Sequence, residues 1–534
     1  MSFASSVVLH DLSFAWPDGS PALTGISASF GHGRTGLVGR NGVGKSTLLR
    51  LIAGELTPTA GRVTASGLVG YLPQTVTHHA DRTVAELLGI HDVTAAIRAV
   101  EHGDLRPELF DLIGDDWDIE ERSLAALAAH GLELPTLHRP VSTLSGGESM
   151  LAALVGVTLR RPGIALLDEP TNNLDRHTRD RVYELVNSWR GTLIVVSHDV
   201  ALLELMDDTA ELREGDLSLY GGPYGAYRDQ VDAEQDAARR TLRSAEQSLR
   251  TEKRQRAQAE EKIAHSTRQG RKDAANRKYI GAAVNDRRNS AEKSQGARRG
   301  LMDEKVALAQ RAVSDAEARI HDDDRISIQL PDPEVPAGRR IARLIGADGR
   351  EFTVQGPERI ALTGANGAGK TTLLRQLVPS PAAEPGFARA RGESLVAHVG
   401  YLSQRLDGLD DEASVLTNVQ DAAPGIPTRE LRNQLARLLL RGAMVDRPVR
   451  SLSGGERFRA ALARLLLADP PAQLLLLDEP TNNLDLPSVE QLVQALAAYR
   501  GALIVVSHDR AFLDRLGLTA EFVLDRDGVL TRAR

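Results

Sequence analysis

Two adjacent acids, Asp168 and Glu169, follow the apolar run IALL and open the stretch DEPTNNLD; the same eight residues return at 478–485 after LLLL, with Asp478 and Glu479 in the same places. Neighbouring carboxylates at the end of a buried strand suit two separate tasks. One holds a divalent cation, directly or through water, and the other orients or deprotonates an attacking water. The anion that these tasks imply has its own motif. Gly39–Ser46 and Gly364–Thr371 each fit GxxxxGK(S/T), each after a strand-like run (TGLVG, IALTG) and before a helix-like one (STLLRL, TTLLRQ). In that context Gly39, Gly42 and Gly44, and likewise Gly364, Gly367 and Gly369, let backbone N–H groups close round phosphate oxygens. Lys45 and Lys370 reach the outer phosphates, and the hydroxyls of Ser46 and Thr371 are placed for Mg2+. Asn41, Thr47, Asn366 and Thr372 belong to the same two loops. The plain alternative is a glycine-rich turn before a helix; its duplication in the right context argues against that. The implied ligands are ATP and Mg2+.

LSGGE, at 144–148 and 452–456, makes a different surface. Ser145, Gly146 and Gly147, and Ser453, Gly454 and Gly455, are expected to open helices whose N-termini admit a phosphate close to the backbone. Beside a phosphate loop in the same copy this is redundant. It makes sense if each helix start closes on the nucleotide held by the other copy, so that two half-sites facing head to tail form two complete ones.

The elements behind these residues are written twice. GLVGRNGVGKSTLL matches ALTGANGAGKTTLL, VGYLPQ matches VGYLSQ, and GTLIVVSHD matches GALIVVSHD, all in one order. Gln74 and Gln404 lie 330 residues apart and Leu144 and Leu452 lie 308 apart, so the first copy holds 22 more residues between those points (330 − 308 = 22). Short β-rich apolar runs alternate with helical stretches. The fold class expected is therefore α/β: two tandem domains, each a mostly parallel sheet flanked by helices, joined by an antiparallel helical hairpin. The domains are placed at 1–230 and 336–534, with the hairpin at 231–335.

In that hairpin Ala238, Leu242, Ala245 and Leu249 step at heptad spacing, with Ala259 and Ile263 rejoining later; Met302, Val306, Ala309, Val313, Ala316 and Ile320 do the same. Glu252 and Arg256 interrupt the first seam. A helix of about 30 residues gives an arm of roughly 45 Å. Its tip, 262–300, holds eleven Lys or Arg against three acids, in a chain of net charge −7. Such asymmetry points to a polyanion, with Arg268, Arg271, Lys272, Arg277, Lys278, Arg287, Arg288 and Lys293 as candidate RNA contacts. A solvated charged turn is the bland reading of the same run. Absence of cysteine excludes disulfides, thiol catalysis and Cys-based metal centres, and no apolar run approaches the length of a membrane span. The N-terminus lacks the pattern of a secretory signal.

The combination of phosphate loop, LSGGE, LLDEP, NLD and SHD resembles the ATP-binding cassette proteins over roughly 1–230 and 340–534. By that resemblance Gln74 and Gln404 contact Mg2+ or its water, alongside Asp168 and Asp478. Glu169 and Glu479 serve hydrolysis, and His198 and His508 lie near the γ-phosphate. Asp175 and Asp485 sit in loops crossing the seam between domains. Trp16, in LSFAWPDG, matches the aromatic that stacks on adenine; the second domain shows no clear equivalent, with Phe352 the nearest candidate. Tandem cassettes, no membrane segment and a charged helical linker further resemble the ABC-F family. That resemblance implies a cytoplasmic ATPase acting on ribosomal RNA and tRNA through its linker, as a monomer whose two cassettes close on each other. It serves there in antibiotic resistance or as a translation factor, and the long linker leans toward resistance. The extra residues of the first domain fall where the family carries an arm insertion. YGGPYGAYRDQ resembles its exit into the linker. The chain departs from the family at Asn173 and Asn483, where DEPTNHLD is usual. It departs again after the first LSGGE, where SMLAALV lacks the expected basic residues, so the site that the first LSGGE completes is expected to work differently. It ends 26 residues after His508, too soon for a further C-terminal coiled coil. The other reading is the ATPase subunit of an exporter with a separate membrane chain, for which the basic arm has no obvious use.

Overall fold

The computed structural model describes residues 5–74, 82–213, 215–275, 300–318, 330–379, 389–404, 406–482 and 484–533. The chain divides into two compact units: residues 1–225 together with 325–534, and residues 226–324.

The first unit contains the module twice, with one topology. In the first copy six strands lie in the order Val69–Leu72, Ile164–Asp168, Thr192–Val196, Gly33–Val38, Asp208–Arg213, Asp216–Gly221, and the second copy repeats this order. The first five strands run parallel and the last is antiparallel. Ile164–Asp168 and Thr192–Val196 are buried at all five positions, as are Leu474–Asp478 and Ala502–Val506. Unbroken Leu, Ile and Val runs suit these strands because helices cover both faces. The register pairs Asp168 with Val196 and Leu37 with Val196, so three neighbouring strands end together. Their carboxyl edge carries the phosphate loop, the acidic pair and the histidine of SHD. Open α/β sheets bind their ligands at such an edge. A three-stranded antiparallel sheet completes each module, built from Ser6–Ala15, Pro21–Phe30 and Ala60–Ser66 in the first.

The modules differ in their helical layer. Isolated bridges Thr83–Pro140 and Ser414–Pro448 mark equivalent borders. Between them the first module has helices Val84–Leu88, His91–Glu101, Pro107–Ile113 and Ile119–Ala129, whereas the second has Val415–Ala422 and Thr428–Arg437. The 22 additional residues are thus mostly helical.

In the second unit one helix, Tyr224–Ala275, runs for 52 residues, or roughly 78 Å, its first two residues belonging to the first unit. It is longer than the heptad seam alone suggests, because it begins well before Ala238 and runs on past Ile263. Residues 300–317 lie in a second helix. Burial follows the heptads: Ile263, Val306 and Ala316 are buried, and Leu242, Ala245, Leu249, Ala259, Met302, Ala309 and Val313 are half-buried between exposed neighbours. At the interruption, Arg256 turns its charge to use, its Nε lying 3.0 Å from Asp303 Oδ1 on the second helix.

Candidate functional site

Each acidic pair straddles the end of a strand. Asp168 and Asp478 are the last strand residues; Glu169 and Glu479 follow with left-handed backbones, φ 51 and φ 47. Non-glycine residues seldom adopt this region, and where they do the conformation is held by surroundings. Here Glu169 N–H donates to Val196 O at 2.9 Å and Glu479 N–H to Val506 O at 2.8 Å. The backbone turn parts each glutamate from its aspartate. Asp168 Oδ1 is buried with no hydrogen-bond partner, and burial pushes its carboxyl up. In the second module Asp478 accepts from Thr371 Oγ1 and from Tyr401 O–H, each at 3.2 Å. A buried carboxylate oxygen facing a Ser or Thr hydroxyl is the donor set a Mg2+ ion takes. The residues therefore fit that ion.

The phosphate loops are tightly drawn. A Cβ on Gly39 would lie 2.3 Å from Leu212 O, and one on Gly364 would lie 2.1 Å from Leu524 O; their φ values are 148 and 144. Each loop wraps its lysine: Lys45 Nζ donates to Gly39 O and Arg40 O at 2.6 and 3.0 Å, and Lys370 Nζ to Gly364 O and Ala365 O at the same distances. Burial holds both ammonium groups below the usual lysine range.

Glutamate and histidine face each other in both modules. His198 Nε2 is 3.2 Å from Glu169 Oε1 and 3.1 Å from Asn41 Oδ1, and its backbone N–H donates to Glu169 Oε2 at 3.3 Å. His508 Nε2 is 3.4 Å from Glu479 Oε1, with the backbone bond at 3.4 Å. Burial pushes Glu169 up to about 8 and Glu479 up to about 7, and it pushes His198 down to about 3 and His508 down to about 4. A carboxyl raised toward neutrality beside an uncharged imidazole can take up a proton from water.

Two cavities lie on the seam. One, about 620 Å3, is bordered by Trp16, Asn41, Gly42, Gly44, Lys45, Ser46, Thr47, Gln74, Asp168, Glu169 and His198, with Thr481, Asn482, Val489 and Asp509 from the second module. The other, about 400 Å3, is bordered by Asn366, Gly367, Gly369, Lys370, Thr371, Thr372, Gln404, Asp478, Glu479 and His508, with Asn173 and Arg179 from the first. Asp485 Oδ2 accepts from Asn41 N–H at 2.9 Å, and the nearby backbone of Asn366 helps hold the Asp175 carboxyl down, so each NLD aspartate faces the opposite phosphate loop. Asn173, with φ 59, accepts at Oδ1 from Gln404 Nε2 at 3.2 Å and from Asn482 Nδ2 at 3.1 Å, and at its carbonyl from Asn366 Nδ2 at 3.2 Å. Asparagine is enriched in left-handed backbone, which suits it to this place.

The LSGGE residues take another position. Ser145, Gly146, Gly147, Ser453, Gly454 and Gly455 border neither cavity. As expected they open helices, Gly146–Leu159 and Gly454–Leu466, which Ser145 and Ser453 cap in reciprocal pairs with Glu148 and Glu456. Trp16 stands at the mouth of the larger cavity, 38% exposed, edge-on to Phe14. Phe352 borders neither cavity; it packs edge-on against Phe522, 4.9 Å between centroids. The matching turns explain this. Trp16 N–H bonds Ser20 O and Gly19 N–H bonds Trp16 O, while Gly346 N–H bonds Arg350 O and Gly349 N–H bonds Gly346 O. Gly346 therefore occupies the place of Trp16. On the arm, Arg268 and Lys272 are exposed and Arg271 lies within the long helix. Arg277, Lys278, Arg287, Arg288 and Lys293 lie outside the described residues, as does Asn483. Sequence reasoning missed Arg179, Thr481 and Asn482 as border residues. Arg179 stands one helical turn past Asp175, the only local signal.

The profile of the ABC transporter family matches residues 23–172 and 347–482. The tylosin resistance ATP-binding protein TlrC of Streptomyces fradiae is 32% identical, over 99% of both chains. The energy-dependent translational throttle protein EttA of Mycobacterium tuberculosis is 29% identical, over 92% of this chain and 87% of its own. Among solved structures, the archaeal ribosome recycling factor aABCE1, in complex with the ribosomal stalk protein aP1, has a TM-score of 0.57 at 20% identity, over 98% of this chain and 89% of its own, which is a likeness of fold. Among the described residues no helix is long and apolar enough to cross a membrane.

Proposed function

We propose, from the premise that this chain belongs to the ABC-F family of ATP-binding cassette proteins, that it hydrolyses ATP at the two seam cavities and uses that cycle to set its basic arm on the ribosome and withdraw it. The observation that carries the reading is the crossing of the seam: the first phosphate loop bonds Asp485 and the second bonds Asn173, each in the DEPTNNLD stretch of the other cassette. Neither cassette alone encloses a nucleotide, so binding there favours the closed pair over the open one.

Bound Mg·ATP supplies the transferable phosphoryl group and a cation that offsets its charge. The chain's own residues do the rest. Lys45 and Lys370, with the loop N–H groups, hold the phosphates; Asp168 with Ser46 and Asp478 with Thr371 hold the cation, aided by Gln74 and Gln404. Glu169 and Glu479 accept a proton from the attacking water, each steadied by the backbone N–H of His198 or His508. Trp16 stacks on the base in the first site. Arg268 and Lys272, with the further basic residues of the tip, meet RNA phosphates. Full-length similarity to a tylosin resistance protein supports a role in resistance, exerted on the ribosome as a cytoplasmic monomer.

The test is co-sedimentation of the E169Q/E479Q double variant with ribosomes and, separately, with membrane vesicles, with and without ATP. Retention on ribosomes only with ATP, together with tylosin tolerance in cells expressing the unaltered chain, is the expected result. Pelleting with membranes in place of ribosomes would favour an exporter subunit. ATP-dependent ribosome retention without any change in drug tolerance would assign it to translation.

A further inference from the structure

Arg179 lies in helix Arg176–Asn187, which Asp175 caps, one turn into the helix. Its side chain is 13% exposed. Nη1 donates to the carbonyl oxygen of His508, in the other cassette, at 3.2 Å. Nε lies 3.7 Å from Oδ2 of Asp199, in its own cassette, and that oxygen also accepts from Tyr183 O–H at 2.6 Å. The other oxygen of Asp199 caps helix Val200–Leu203 through Ala201 N–H at 3.1 Å. Asp199 is thus fixed on two sides, and a charged group resting on it keeps a set direction.

What Arg179 grips matters for the chemistry. His508 presents its backbone N–H to Glu479 Oε2 and its imidazole to both Glu479 Oε1 and Lys370 Nζ, the last at 3.3 Å. A hold on its carbonyl restrains the backbone on the C-terminal side of the residue that makes all three contacts. The equivalent position in the second cassette, 310 residues on and four past Asp485, is Val489. Its side chain has no polar atom and borders the first cavity. Arg179 borders both cavities, but its hydrogen bond goes to His508. Among the described residues, this arginine brace is therefore present at the second site and not at the first.

We propose that Arg179 is a positioning residue for the second ATP site alone, bridging Asp199 and the His508 carbonyl across the seam so that the histidine stands square to Glu479, while the first site works without such a brace. This rests on the reading of the cavities as ATP sites, and it gives the two sites different rates for a reason separate from their LSGGE helices.

The experiment isolates each site by removing the other's glutamate. In the E169Q chain, R179V is expected to lower kcat about tenfold with KM changed by less than about twofold, because an interaction with a charged donor is lost and nucleotide contacts are kept. R179K, which retains a cationic donor, is expected to recover most of that loss. In the E479Q chain R179V is expected to change kcat by less than about twofold. Equal losses in both backgrounds, a change confined to KM, or no loss in the E169Q chain would each overturn the assignment. Should R179V fail to fold, R179Q, similar in reach and uncharged, is put through the same comparison with the same criteria. Hydrolysis undiminished in the E169Q/E479Q double variant would instead overturn the reading of the two glutamates.

Discussion

The carboxylate of Asp485 takes one N–H at each oxygen: Ser488 at Oδ1, 3.0 Å, within its own helix start, and Asn41 at Oδ2, 2.9 Å, in the phosphate loop 444 residues earlier. Burial, the largest influence, pushes this carboxyl up. Hydrogen bonds from Ser488 and Asn41 outweigh it and hold the group below the usual aspartate range. One side chain thus caps a helix and latches the two cassettes, and the tasks separate by substitution. D485S keeps a good cap and loses the oxygen that reaches Asn41. It should leave the thermal midpoint within a few degrees of the unaltered chain and lower ATP hydrolysis about tenfold or more, since a hydrogen bond to a charged group is worth about 1.5–3 kcal/mol. D485A should add the loss of the cap, about 1 kcal/mol, visible in calorimetry.

Gly39 and Gly364 are placed for close approach, and their substitution separates fold from chemistry. An alanine Cβ at either meets a strand carbonyl at 2.3 or 2.1 Å with φ near 148 or 144, so backbone must move. G39A and G364A should each destabilise the protein by more than about 2 kcal/mol, read as a lowered denaturant midpoint. By contrast Gly42 and Gly367 have nothing within 4 Å of a built Cβ, so their alanine variants suffer the backbone strain alone and should lose less.

How far the sequence speaks depends on whether a residue's role is set locally. The phosphate loops were legible because glycine, lysine and hydroxyl at fixed spacing have few other uses together. The duplication implied a shared seam, and Asp485 and Asp175 face across it as the resemblance implied; Asn173 and Arg179 cross it as well without any such mark, while the LSGGE serines cap helices. The S-x-x-E spacing of a capping box was present in LSGGE and is as local a signal as the phosphate loop. The turn at Glu169 was not legible: an acid after an aspartate carries no mark of left-handed backbone, which the bond to Val196 imposes from another strand. The missing stacking partner was legible as the lack of a clear aromatic in the second domain; that Gly346, and not Phe352, takes the place of Trp16 shows only in the matching turns.

The arm allows a contrast between buried contact and surface charge. Arg256 and Asp303 are both about half exposed, 44% and 57%, and such pairs contribute about 0–1 kcal/mol. D303A should therefore leave helicity and ribosome retention nearly unchanged. Val306 is buried in the heptad seam, and V306D places a charge there without a partner. Loss of helical circular dichroism and of ribosome co-sedimentation is expected for V306D, with ATP hydrolysis in the absence of ribosomes kept.

Trp16 and Gly346 occupy equivalent turns, so only the first cassette can stack a base on an indole. Stacking of a base on an aromatic ring is worth about 1–3 kcal/mol. With K370A disabling the second phosphate loop, W16A should weaken nucleotide binding at the first site about tenfold, measured by titration with a fluorescent ATP analogue. With K45A disabling the first loop, W16A should change binding at the second by less than about twofold, because the ring lies in the other cavity's mouth. Phosphate contacts do not depend on the base, so inorganic triphosphate should bind the W16A chain as it binds the unaltered one. A loss for triphosphate equal to that for ATP would mean that the indole supports the loop's shape and does not contact the base.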